Sequence, residues 1–128
     1  MKNFLWSIAF AVSMSFLSSC DPAYPIRITN KTAEPATIFV LENSNFRSDK
    51  LPLGNNEDGL KIYILEPDQT LNVGMAIADL EDDMPFSQLI VKTTSDSISA
   101  TGFKEMKDLF DKGWLGNLKK PYQITIEN

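Results

Sequence analysis

The sequence predicts a mainly β fold, a two-sheet antiparallel β-sandwich of six to seven short strands with one short amphipathic helix near 103–112. Three observations carry this expectation. Short runs of alternating polarity recur, separated by turn residues roughly every 8–12 positions. One stretch alone, 103–112, repeats its apolar residues at helical spacing. The chain has 128 residues, of which 43% are hydrophobic, enough for one domain with its own core.

The elements follow in chain order. Residues 21–25 include Pro22 and Pro25 and read as a tether. Ile26 and Ile28 then alternate with Arg27 and Thr29, the pattern of a half-buried strand. Asn30-Lys31-Thr32 and Glu34-Pro35 form a turn. The run Thr37-Ile38-Phe39-Val40-Leu41 is β-branched, aromatic and continuously apolar, as in a central strand. Residues 42–59, rich in Asn, Pro and Gly, form the longest loop, and loops of this length are either functional or plain connections.

Leu60, Ile62 and Ile64 alternate with Lys61, Tyr63 and Leu65, and Leu71, Val73, Met75 and Ile77 with Asn72, Gly74, Ala76 and Ala78. Between the two runs, Pro67 and Asp68 suit the middle of a type I turn. Together they predict a hairpin. Leu89-Ile90-Val91, Ile98 with Ala100, and Tyr122–Ile126 supply the last strands. In the helix, Phe103, Met106, Leu109 and Phe110 share one face, Asp108 and Lys112 form an i,i+4 pair, and Gly113 stands where an αL cap belongs. That face is expected to cover an open sheet end. The set suggests an immunoglobulin-like or related sandwich, with strand order left open.

The N-terminus reads differently. Lys2 precedes an apolar stretch from Phe4 to Phe16, too short for a membrane span of about 20 residues but built like a secretory signal peptide. It ends in Leu17-Ser18-Ser19-Cys20. That ending resembles the lipobox of bacterial lipoproteins: an aliphatic residue, two small residues and the modified cysteine. The resemblance covers 20 residues and uses the chain's single cysteine. It implies cleavage before Cys20, a diacylglycerol thioether on its sulfur and an acyl group such as palmitate on the new amino terminus. Several acyl chains make anchoring stable.

The expected organisation is thus a signal peptide over 1–19, a lipidated cysteine and tether over 20–25, and one β-sandwich domain over 26–128. Asp21 resembles the inner-membrane retention signal of enteric bacteria. The chain as a whole resembles small envelope lipoproteins of Bacteroidota, whose surface export goes with an acidic cluster after the cysteine, and Asp21–Pro25 holds one acid. The expectation is the outer membrane, with its periplasmic and surface faces both open.

Composition narrows the function. With 17 acidic and 12 basic residues the net charge is −5, the wrong sign for gripping nucleic-acid backbones. No histidine is present, which removes His triads and His metal sites. A single cysteine excludes an internal disulfide. The motif GxSxG and phosphate-cradling glycine loops are absent. No cofactor and no metal are expected.

Several constellations remain. Asp79, Glu81, Asp82 and Asp83 form an acidic loop; it lacks the EF-hand order a calcium site would use and reads as a solvated loop or a partner-contact surface. Trp114, Tyr122 and Phe103 are either a sugar-stacking platform or core packing. Asp96-Ser97-Ile98 resembles the O-glycosylation sequon of Bacteroidota, which implies a glycan on Ser97. Asn30-Lys31-Thr32 matches the N-glycan sequon, but Asn30 is more simply a turn residue.

The expected function is a non-enzymatic binding or structural module, lipid-anchored in the cell envelope, with an envelope protein or a glycan as ligand. The alternative is a periplasmic immunity protein whose acidic loop meets a basic toxin. A minimal glycoside hydrolase with paired carboxylates is the third reading.

Overall fold

The computed structural model describes residues 23–77, 80–110 and 122–127. Among them the order is β1 (Tyr24–Asn30), β2 (Ala36–Glu42), β3 (Gly54–Asn55), β4 (Lys61–Leu65), β5 (Thr70–Ala76), β6 (Phe86–Lys92), β7 (Ser97–Thr101), α1 (Gly102–Leu109) and β8 (Tyr122–Ile126). The fold is the expected β-sandwich. A three-stranded sheet runs β5-β1-β8 and a five-stranded sheet runs β3-β4-β2-β6-β7. The described strands number eight, the addition being the two-residue β3 that crosses the predicted loop 42–59. The first strand starts at Tyr24, so Tyr24 and Pro25 belong to the sheet rather than to the tether.

Pairing is antiparallel throughout, with one exception: β1 and β8 run parallel, with Ile28 opposite Ile124. The core lies between the sheets. Ile26, Ile28, Leu71 and Val73 meet Ile38, Val40, Leu65, Phe86 and Leu89, all nearly or fully buried.

The predicted hairpin of β4 and β5 does not form. β4 pairs with β2 and β5 with β1, so the chain arches from one sheet to the other at 66–69. The physical reason is at Asn30. This side chain is fully buried, and its Nδ2 donates to Glu34 O at 2.7 Å and Leu65 O at 2.9 Å. Its Oδ1 accepts from the Thr32 amide at 2.9 Å and the Thr32 hydroxyl at 2.7 Å. Its backbone N–H donates to Gln69 O at 3.0 Å, and its O accepts from Asp68 N at 2.7 Å. One residue thus clips the end of β1, in one sheet, to the end of β4, in the other. The turn itself has Asp68 at φ 64°. A positive φ at the third position is the type II signature rather than type I, and Asp tolerates the left-handed region better than most residues.

β5 carries the second departure. Ile26 pairs with Gly74 but Arg27 with Asn72, so Val73 is an extra residue in the ladder. Such a bulge reverses the alternation beyond it. Gly74 and Ala76 turn inward, and Met75 and Ile77, expected on the core side, are each 57% exposed. Gly74 is required by close approach: a Cβ there would stand 3.3 Å from Pro85 Cβ and 3.4 Å from Asn45 O.

The helix is shorter than predicted. It stops at Leu109 because Phe110 turns extended and bridges Ile124 of β8, burying its ring in the core. Lys112 and Gly113, the predicted pair member and cap, lie outside the described residues. At the other end Gly102, at φ 78°, lets the strand become a helix without a loop. Glu105 Oε2 accepts from the Thr101 N–H at 2.8 Å. The apolar face does cover the sandwich: Met106 is in the core, and Phe103 and Leu109 pack against it.

Candidate functional site

The predicted residues are scattered over the molecule. Cys20, Asp79 and Trp114 lie outside the described residues, as does the predicted signal peptide over 1–19. Ser97 is exposed at the first position of β7, just past the turn 93–96, and its amide donates to Asp96 Oδ1 at 2.7 Å. Its hydroxyl is thus on an accessible strand end. Asn30 cannot serve as a glycan acceptor, because its amide nitrogen is buried and donates to two carbonyls.

Of the acidic loop, Glu81 and Asp82 are exposed, but Asp83 is half-buried and its Oδ2 accepts from the Ile77 amide at 2.6 Å. The loop is pinned by Leu80 and Met84 in the core. Asn45 donates to Asp83 O at 2.6 Å and Asn43 to Met84 O at 2.9 Å. Among the described residues no three His, Cys, Asp or Glu side chains are grouped to hold a metal ion. Phe103 and Tyr122 both pack against the core, and Tyr122 meets Phe110 edge-on at 6.2 Å. They are not turned out as a platform.

The long loop 42–59 also has a packing role. Phe46 enters the core against Tyr63, with ring centroids 6.1 Å apart. Arg47 N donates to Val73 O at 3.0 Å, and Asp49 accepts from the backbone and the side chain of Asn72. The loop therefore runs along β5 and satisfies an edge that would otherwise be open. At the rim, Glu42 accepts from Lys61 Nζ at 2.7 Å and from Tyr63 OH at 3.1 Å. Burial, followed by the hydrogen bond to Glu42 and its charge, pushes the Tyr63 hydroxyl up to about 12.

What the sequence did not single out is the outer face of the five-stranded sheet. The registers place Ile62, Phe39, Ile90 and Ser99 in one row across β4, β2, β6 and β7. Ile64, Thr37, Lys92 and Ser97 form the next row, and Leu41 stands beside Gln88. Phe39, Ile62 and Ile90 are half-buried, and Leu41 and Ile64 are each 41% exposed. The one charge in these rows, Lys92, lies over the Phe39 ring at 5.2 Å. A charge-poor aliphatic face with one aromatic residue has the composition of the core of a protein–protein interface. It has few of the convergent polar groups that hold a sugar or a small ligand.

A signal for it was present. The runs 37–41 and 60–65 are apolar at both parities, which means both faces of the strands are apolar. Such runs are read as strands covered on both sides. In the structure the inner side holds Ile38, Val40, Tyr63 and Leu65, and the outer side remains open to solvent to the extent given above.

Among the described residues no helix is long and apolar enough to cross a membrane. Compared with family models, curated proteins and solved structures, the chain matches none.

Proposed function

We propose that this chain is a lipid-anchored, non-enzymatic binding module of the bacterial cell envelope, held at the outer membrane through Cys20. Its ligand is an envelope protein, which it meets through the outer face of the five-stranded sheet. The observation that supports this is the row Ile62–Phe39–Ile90 with Ile64 and Leu41 beside it. Covering such side chains removes apolar area from water at about 25 cal/mol per Å², which favours association with a complementary apolar surface. The scarcity of hydrogen-bonding groups favours a protein over a glycan. A glycan on Ser97 would sit at one corner of the same face, in the row of Lys92.

Photo-crosslinking in the intact envelope tests the reading. A photoreactive residue at Ile64 or Leu41 is expected to trap one defined partner, and one at Thr125 on the other sheet is expected to trap none. Crosslinks confined to Glu81 and Asp82 would replace this reading with that of an immunity protein meeting a basic toxin. The anchor is tested separately by intact mass. The membrane-derived protein should weigh residues 20–128 plus acyl groups, and Cys20→Ser should lack that species.

A further inference from the structure

The anchor restricts which part of the domain faces the bilayer, and this inference rests on the lipidation of Cys20. Cys20 precedes Tyr24, the first residue of β1, by four positions. An extended chain spans at most about 3.6 Å per residue. The end of the sandwich where β1 begins is therefore held within about 14 Å of the Cα of the acylated Cys20.

The registers identify what shares that end. Tyr24 lies opposite Ala76 and Pro25 opposite Met75. The bulge at Val73 has turned Met75 and the following Ile77 outward, where each is 57% exposed. Pro25, on the same face as Met75, is half-buried, whereas Tyr24 lies on the inner side opposite Ala76. Two large, adjacent, solvent-exposed apolar side chains thus stand next to the point where the tether enters. The opposite end of the sandwich is polar. Its turns are tied by Lys31 to Asp68 at 3.3 Å and by the Thr94 hydroxyl to the Glu34 carboxylate.

We propose that Met75 and Ile77, flanked by Pro25, form a lipid-contacting patch that seats this end of the domain in the bilayer headgroup region. That region is about 5–7 Å deep in each leaflet, well within the reach of the tether. Apolar side chains gain by entering it. Asp83 accepts from the Ile77 amide, and Glu81 and Asp82 stand on the same loop. Negative charge beside the patch opposes anionic headgroups, so the surface it fits is a neutral, zwitterionic one.

The test uses the acylated chain reconstituted in phosphatidylcholine vesicles. Acylation consumes the only thiol, so Ile77→Cys offers a unique site for a fluorophore. Ser95→Cys, exposed in a turn at the opposite end, is the control. With a headgroup-attached quencher in the vesicles, the label at 77 should be quenched several-fold more strongly than the label at 95. Equal quenching in protein that still floats with the vesicles would overturn the patch and leave the anchor standing. Protein that does not float and carries no acyl mass would overturn both.

Discussion

The two sheets of this sandwich share a core but present opposite outer faces. Away from the Pro25–Met75 end, the outward rows of the three-stranded sheet are polar. Asn72, Arg27 and Gln123 lie side by side, as do Thr70, Thr29 and Thr125. Arg27 Nε donates to Asn72 Oδ1 at 3.1 Å, and the Thr29 and Thr70 hydroxyls are 2.9 Å apart. On the five-stranded sheet the equivalent rows hold Ile62, Phe39 and Ile90, with Ile64 and Leu41 adjoining. The first face is satisfied by its own cross-strand pairs. The second leaves apolar area in water, which an isolated domain has no reason to keep. On the proposed reading, the first sheet holds the shape and the second makes the contact.

The largest expected effect breaks the link that holds the sheets in this arrangement. Asn30→Ala removes both donors and the acceptor of a fully buried side chain, leaving Leu65 O, Glu34 O and the Thr32 groups without those partners. Leaving several buried groups unsatisfied should cost about 3 kcal/mol or more, read as a lower urea midpoint at equilibrium. A loss below about 1 kcal/mol, the scale of one ordinary hydrogen bond, would show that the clip is not what stacks the sheets.

Next is the bulge that turns Met75 and Ile77 outward. Gly74→Ala crowds Pro85 and Asn45 O and should destabilise by about 1–3 kcal/mol, as overpacking does. Thermal unfolding measures it, and a rise in Tm would show that the loop at 80–85 yields freely.

A smaller effect appears in alkali. The Tyr63 hydroxyl is raised from 10.0 to about 12 in the fold. A group with a raised folded pKa contributes its stability in full below the unfolded value and loses it as pH rises through the folded one. Stability should therefore be insensitive to this group up to about pH 10 and decline from there toward pH 12. Tyr63→Phe should flatten that decline in urea melts taken across the range.

The smallest change in stability should come from the outer face itself. Ile64→Ser alters a side chain 41% exposed, and surface changes of this kind stay within about 0.5 kcal/mol. The same variant should lose most of the partner crosslinking seen from Leu41, whereas Thr125→Ala should leave it intact. Equal retention in both variants would erase the functional distinction between the faces.

Much of the fold was legible in residue order. The strands at 26–29, 37–41, 71–76 and 122–126 announce themselves by period and β-branching, and the helix by Phe103, Met106 and Leu109. These are local signals, since each depends on neighbours within a few residues. The acidic loop was equally visible, but its chemistry was not. Nothing in Asp79–Asp83 tells that Asp83 serves the Ile77 amide. The apolar outer face was hidden for a related reason: an apolar run on both parities looks the same whether its second side is covered by another layer or left exposed.

By itself, then, the sequence determined the β class, the helix after β7, the turn positions and the acidic, His-free chemistry, because composition and periodicity act along the chain. Tertiary structure decided the arch that separates β4 from β5, the parallel pairing of β1 with β8, the bulge at Val73 and the end of the helix at Phe110. Each depends on a partner far away in sequence: Asn30 on Leu65, Ile28 on Ile124, Gly74 on Pro85, Phe110 on Ile124. A one-residue bulge or a single buried amide reverses what faces the core. Such choices are made when the sheets meet and not before.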